Sequence, residues 1–189
     1  MNARHVTSLL GALALAFSLG AGASTIALQP SAALVPQAST FTVDLSLNAA
    51  GVGDHPGRYG GQIVIDFDPA LITYNSFALA SGLSYFSNPA VGSASGRQTV
   101  TLGFDNAADV GRVGTFNFTA IGTPGSIATI GLADADSFFG TFVTYTPTYH
   151  AFSPAFSSTS IQVSAVPLPG TAWMFLTAFA AAGWRRCRS

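Results

Sequence analysis

Between residues 24 and 165, apolar and polar side chains alternate with a period of two. Phe41, Val43, Leu45 and Leu47 alternate with Thr42, Asp44, Ser46 and Asn48. Successive side chains of a strand point to opposite faces, so this pattern predicts a strand with one buried face. Ile63, Ile65 and Phe67 alternate in the same way with Gln62, Val64 and Asp66. Further strands are predicted over residues 71–79, 98–104, 114–121, 126–132, 140–145 and 159–164. Turn-forming pairs and triplets separate them: Gly51 and Gly53 before Asp54, Asp68-Pro69, Asn88-Pro89, Ser95-Gly96 and Thr123-Pro124-Gly125. No stretch of this region has capped helical periodicity. Many short strands with regular turn signals predict an all-β, antiparallel β-sandwich, with a jelly roll as the expected topology.

The two ends read differently. Residues 1–23 begin with Arg4 and His5, continue as an apolar run rich in Leu and Ala, and close on Ala21-Gly22-Ala23. That is the order of a secretory signal peptide, with cleavage by signal peptidase expected before Ser24. At the other end, residues 166–189 open with Val166, Pro167, Leu168 and Pro169. Two prolines one residue apart force an extended backbone. An apolar, helix-compatible run follows from Thr171 to Trp184, with Trp173 and Trp184 near its two ends, and the basic residues Arg185, Arg186 and Arg188 close it. As a helix, residues 171–184 would extend roughly 21 Å. That is short for a hydrocarbon core of about 30 Å, so snorkelling arginines or local thinning must make up the difference. Indoles favour the two interfaces, and the positive cluster is expected to stay cytoplasmic. The remainder of the chain then lies outside, in agreement with the signal peptide.

Composition sharpens this division. The chain of 189 residues is 49% hydrophobic and only 8% charged, against about 25% charged in an ordinary soluble domain. It has no Lys and no Glu; every acidic residue is Asp, and all lie between Asp44 and Asp136. Within the central region only Arg58, Arg97 and Arg112 oppose them. This mildly acidic balance argues against nucleic acid as a partner, since phosphate binding needs a basic footprint. Cys187 is the single cysteine and lies in the tail, so the central domain can form no internal disulfide.

The tail as a whole resembles the PEP-CTERM sorting signal of Gram-negative bacteria. The resemblance rests on Val166-Pro167-Leu168-Pro169, the short apolar run and the Arg-Arg-Cys-Arg end. Leu168 stands where the usual motif has Glu. The resemblance implies recognition and cleavage by an exosortase, a membrane-embedded cysteine protease, in a bacterium that builds an exopolysaccharide matrix or biofilm. It covers only the last two dozen or so residues and concerns sorting alone.

The central domain is similar in parts to cohesin. The strongest segment runs from Gln62 through Ile63, Val64, Ile65, Asp66, Phe67, Asp68 and Pro69 to Tyr74, a strand, an Asp-Pro turn and a second strand. Residues 41–47 match the strand before it, and residues 114–120 a later one. The resemblance implies a cohesin-like sandwich over residues 39–164; dockerin binding does not follow, because cellulosomes are not the usual setting of an exosortase tail.

Several residues are candidates for chemistry. Asp66 and Asp68 stand two apart at a strand end, as do Asp134 and Asp136. Paired carboxylates suit Ca²⁺, which takes several oxygen ligands, or the acid and base of glycoside cleavage. The plainer reading of Asp68 before Pro69 is a capped turn. His55 and His150 are the histidines of the mature domain, far apart in sequence and without a nucleophile elbow. Tyr59, Tyr74, Tyr85, Phe86, Tyr145 and Tyr149 form a candidate sugar-stacking surface, and Phe138, Phe139, Phe152 and Phe156 a candidate patch or sandwich closure. The sequence thus predicts an exported, non-enzymatic sandwich of the cell surface or matrix. It is held transiently at the inner membrane and binds exopolysaccharide or a matrix protein, without a required cofactor. A self-packing structural protein is the alternative, and a secreted glycoside hydrolase the remote one.

Overall fold

The computed structural model of the protein describes residues 24–49, 58–108, 110–135, 142–145 and 149–166. The expected signal peptide and C-terminal helix lie outside these. Among the described residues, no helix is long and apolar enough to cross a membrane.

The described chain forms thirteen strands: β1 (Thr25–Pro30), β2 (Leu34–Pro36), β3 (Thr40–Asn48), β4 (Tyr59–Phe67), β5 (Ile72–Leu79), β6 (Ser84–Ala94), β7 (Arg97–Ala107), β8 (Val110–Ala120), β9 (Ile127–Asp134), β10 (Phe142–Tyr145), β11 (Tyr149–Phe152), β12 (Ala155–Ser157) and β13 (Thr159–Ser164). They make two sheets. One has five strands in the order β12-β1-β3-β8-β5. The other has eight, with β4 at its centre. Strand β7 pairs with β4 from Tyr59 to Phe67, so β9 and β10 share the opposite edge of β4, end to end. Beyond β7 lies β6; beyond β9 lie β13 and β2; beyond β10 lies β11. The chain crosses repeatedly between sheets, as a jelly roll does, rather than finishing one before starting the other.

The predicted alternation sets the core. Phe41, Val43, Leu45 and Leu47 of β3 are buried, and so are Ile63, Ile65 and Phe67 of β4. They meet Val100, Leu102 and Phe104 of β7 and Val113, Phe116 and Phe118 of β8. Phe118 is the hub of the aromatic packing. It stacks on Phe41 at 5.5 Å and takes the edge of Phe67 at 5.3 Å, both within the separations that favour aromatic pairs. Full burial of one such ring contributes roughly 1.5–3 kcal/mol.

Three features depart from the sequence expectation. First, β1, β2, β6, β11 and β12 were not foreseen. In β6 the reason is visible: Asn88-Pro89 reads as a turn, but two register shifts beside β7 absorb it. A proline without a backbone donor is tolerated at such a bulge on an edge strand. Second, the sheets are not wholly antiparallel, because β1 pairs parallel with β12, and β13 with β2. Third, Tyr59 is not on a surface. It is only 2% exposed and sits edge-on to Phe152 at 5.6 Å, inside the core.

Candidate binding face

The outward residues of β6, β7, β4 and β9 fall into rows across four strands. Ala90 lies opposite Thr101, Thr101 opposite Val64, and Val64 opposite Ala133. The next row is Gly92, Thr99, Asp66 and Gly131. With strands about 4.8 Å apart, a row of four spans about 14 Å. These side chains are short, so the face is flat. Ala90, Gly92 and Ala133 are exposed, whereas Val64, Thr99 and Thr101 are half-buried.

Phe86 stands out of this plane. It is 49% exposed, and its ring lies over Gly103 of β7, where any side chain would overlap it. A glycine inside a strand marks such a close approach. At the far end of the β6–β7 ladder, the hairpin turn Ser95-Gly96 has positive φ at both residues (52° and 78°), the geometry whose twist suits a two-residue hairpin. Beneath it, between Pro69 and residues 92–98, runs a shallow open groove of about 270 Å³.

One ion pair crosses the face. The Arg97 guanidinium pairs through Nε with the Asp66 carboxylate. Its Nη2 donates to the Asp66 carbonyl at 3.1 Å and to the Thr129 carbonyl at 3.0 Å. Arg97 therefore ties β7 to β4 and β9 together. Within the two rows Asp66 carries the one charge, and Arg97 neutralises it.

The candidate carboxylates separate. Asp66 is held by Arg97, while Asp68 accepts the backbone N–H of Ala70 at 2.8 Å and so caps its own turn. The half-buried Asp134 lies on β9 opposite Ile63, and Asp136 is outside the described residues. Among the described residues, no three His, Cys, Asp or Glu side chains gather where a metal ion would be held. His55 is outside the described residues; His150 falls on β11, opposite Thr144 of β10.

Among the described side chains, the candidate sugar-stacking aromatics do not line one surface. Besides the buried Tyr59, Tyr74 is half-buried, 6.0 Å from Phe118, and Tyr85 packs 6.3 Å from Phe77. Burial raises the Tyr74 phenol above its ordinary pKa, helped by the neighbouring Tyr85. It raises Tyr85 as well, against a backbone hydrogen bond at Leu79. Tyr145 and Tyr149 stand in register across the β10–β11 hairpin. Phe152 and Phe156 pack against the core beside Phe142, closing the sandwich, and Phe138 and Phe139 are outside the described residues. In the sorting motif, Val166 is exposed; Pro167, Leu168, Pro169, Trp173, Trp184, Arg185, Arg186 and Arg188 lie outside the described residues.

The outer face of the five-stranded sheet differs in kind. Its polar groups bond one another: Thr115 donates to Asp44 at 2.6 Å, and Asn75 to Thr119 at 3.0 Å. Arg112 lies 3.8 Å from Asp44.

This architecture is similar to that of solved cohesin modules. The seventh ScaB type I cohesin of Pseudobacteroides cellulosolvens aligns with a TM-score of 0.59 and 13% identity, over 77% of this chain and 96% of that one. A type III cohesin from the cell-surface anchoring scaffoldin ScaE of Ruminococcus flavefaciens aligns with a TM-score of 0.53 and 12% identity, over 76% and 89%. The third ScaC cohesin of Acetivibrio cellulolyticus, solved in complex with the ScaB dockerin, aligns with a TM-score of 0.52 and 16% identity, over 75% and 99%. No family model matches the sequence, and no curated protein matches it. The chain thus has a cohesin-like β-sandwich fold.

Proposed function

We propose that this chain is an exported, non-catalytic binding module of the cell surface or extracellular matrix. Its partner is a protein, engaged by the outer face of β6, β7, β4 and β9. The flat, charge-balanced rows around Val64, with Phe86 raised at one side, carry this reading. Such a face suits a complementary protein surface with few charges, whose own side chains fill the relief beside Phe86. Similarity to cohesins, one of them solved with its dockerin, supports a protein partner. A glycan partner is the weaker reading, because Tyr59 and Tyr74, which would stack on sugars, turn into the sandwich. In this account signal peptidase releases the chain at Ser24. The tail then holds it at the inner membrane until an exosortase cuts near Val166, Pro167, Leu168 and Pro169.

Val64→Arg tests the face, with Thr42→Arg on the opposite sheet as its control. The proteins are incubated with matrix extract from the host. The wild type and Thr42→Arg are expected to retain the same identified protein, and Val64→Arg to lose it. Equal retention by both variants, or retention of polysaccharide alone, would overturn the proposal.

A further inference from the structure

A sheet edge presents unpaired N–H and C=O groups, and natural proteins blunt such edges with charge, proline, bulges or shortness. Among the described strands, five are edges: β12, β5, β6, β11 and β2. Four are blunted. Strands β12 and β2 span three residues each, β2 ending on Pro36, and β11 spans four. Strand β5 is interrupted by a register shift between Tyr74 and Ser76, and the Asn75 side chain there is bonded to Thr119.

Strand β6 is different. Its irregularities end at Ala90, and residues 90–94 run in regular register beside β7. All five are exposed. From Ser84 to Gly96 the sequence contains no charged residue. Val91 is the telling side chain. It lies opposite Val100, which is wholly buried, and so faces the inner side of the sheet; yet Val91 is 56% exposed. An inward-facing valine lies at the sheet margin with little over it.

We propose that two copies of this chain pair antiparallel through residues 90–92 of β6, joining their eight-stranded sheets into one. A second copy is the occupant the segment fits. Its absence of charge means that like meets like without repulsion. A two-fold axis normal to the sheet also keeps each face continuous. Antiparallel partners must share a face, so the register is confined to pairings of equal parity. The one that sets Val91 against Val91 of the second copy covers both valines and places Ala90 beside Gly92, small against small. In this register residues 90–92 of the two copies pair with one another, a seam of three residues about 10 Å long, so the pairing is weak and reversible and depends on local concentration. A matrix supplies that concentration. This inference does not depend on the partner proposed for the flat face, since a chain with no protein partner could still pair through β6.

Sedimentation of the mature protein over a range of concentrations tests it. The expected result is a monomer–dimer equilibrium that Val91→Lys weakens at least tenfold with an unchanged melting temperature. A monomer at every concentration, or a dimer equally strong in Val91→Lys, would overturn the proposal. Should Val91→Lys misfold, Val91→Cys in the mature protein, which has no other cysteine once the tail with Cys187 is removed, decides by mild oxidation. Cross-strand Cα separations of about 4.5–5.5 Å suit a disulfide. A disulfide-linked dimer of the Val91→Cys variant supports the pairing, and its absence contradicts it.

Discussion

Arg97, the first residue of β7, reaches across β4 to bond the Thr129 carbonyl of β9, and its charge is matched on the way by Asp66. One side chain thereby spans three strands of the proposed binding face. The ion pair itself is worth little, because the two side chains are 37% and 38% exposed and solvent screens them. The two bonds to backbone carbonyls add more, since they tie the side chain to two further strands. Arg97→Ala is expected to lower stability by about 1–2 kcal/mol, and Asp66→Asn by about 0.5 kcal/mol. Denaturant titration checks both; equal losses would mean that the carbonyl bonds contribute nothing.

Two glycines of the eight-stranded sheet make a sharper contrast. A Cβ at Gly61 would overlap the Phe142 ring, which is fully buried and has nowhere to go. A Cβ at Gly103 would overlap Phe86, whose half-exposed ring can swing into solvent. Gly61→Ala is therefore expected to cost about 1–3 kcal/mol through overpacking. Gly103→Ala should cost less than about 1 kcal/mol, on the order of an ordinary surface change, and should alter binding by displacing Phe86. Melting curves of the two variants, with retention of the partner as a second readout, separate these outcomes.

The ends of the chain are tested by mass. Intact-mass analysis of the protein isolated from its host is expected to give a start at Ser24 and an end near Pro169. A mature chain still carrying Arg185, Arg186 and Arg188 would point to a permanent anchor instead of a sorting signal.

Much of the sandwich was legible because its central strands are half-buried. Burial on one face writes a period of two into β3 and β4, and Asp68-Pro69 marks the turn between β4 and β5. Strand β6 was hidden because Asn88-Pro89 looks like a turn, and an edge strand can carry a bulge that a central one cannot. The binding face was harder to read. Its residues are small and common, and alternation says which side is buried without saying what the other side meets. The aromatic candidates misled for a related reason: a tyrosine's type does not reveal its face, and Tyr59 went inward. Gly103 was the available signal, a glycine in a strand that marks where another group comes close.

In-cell photo-crosslinking decides whether a protein occupies the flat face. A photoreactive residue at Thr101, in the centre of the flat face, is compared with one at Thr42 on the opposite sheet. One discrete adduct is expected from the Thr101 position, containing a second and different protein, and none of that adduct from Thr42. Adducts from Thr42 alone, or only polysaccharide from Thr101, would contradict the proposal.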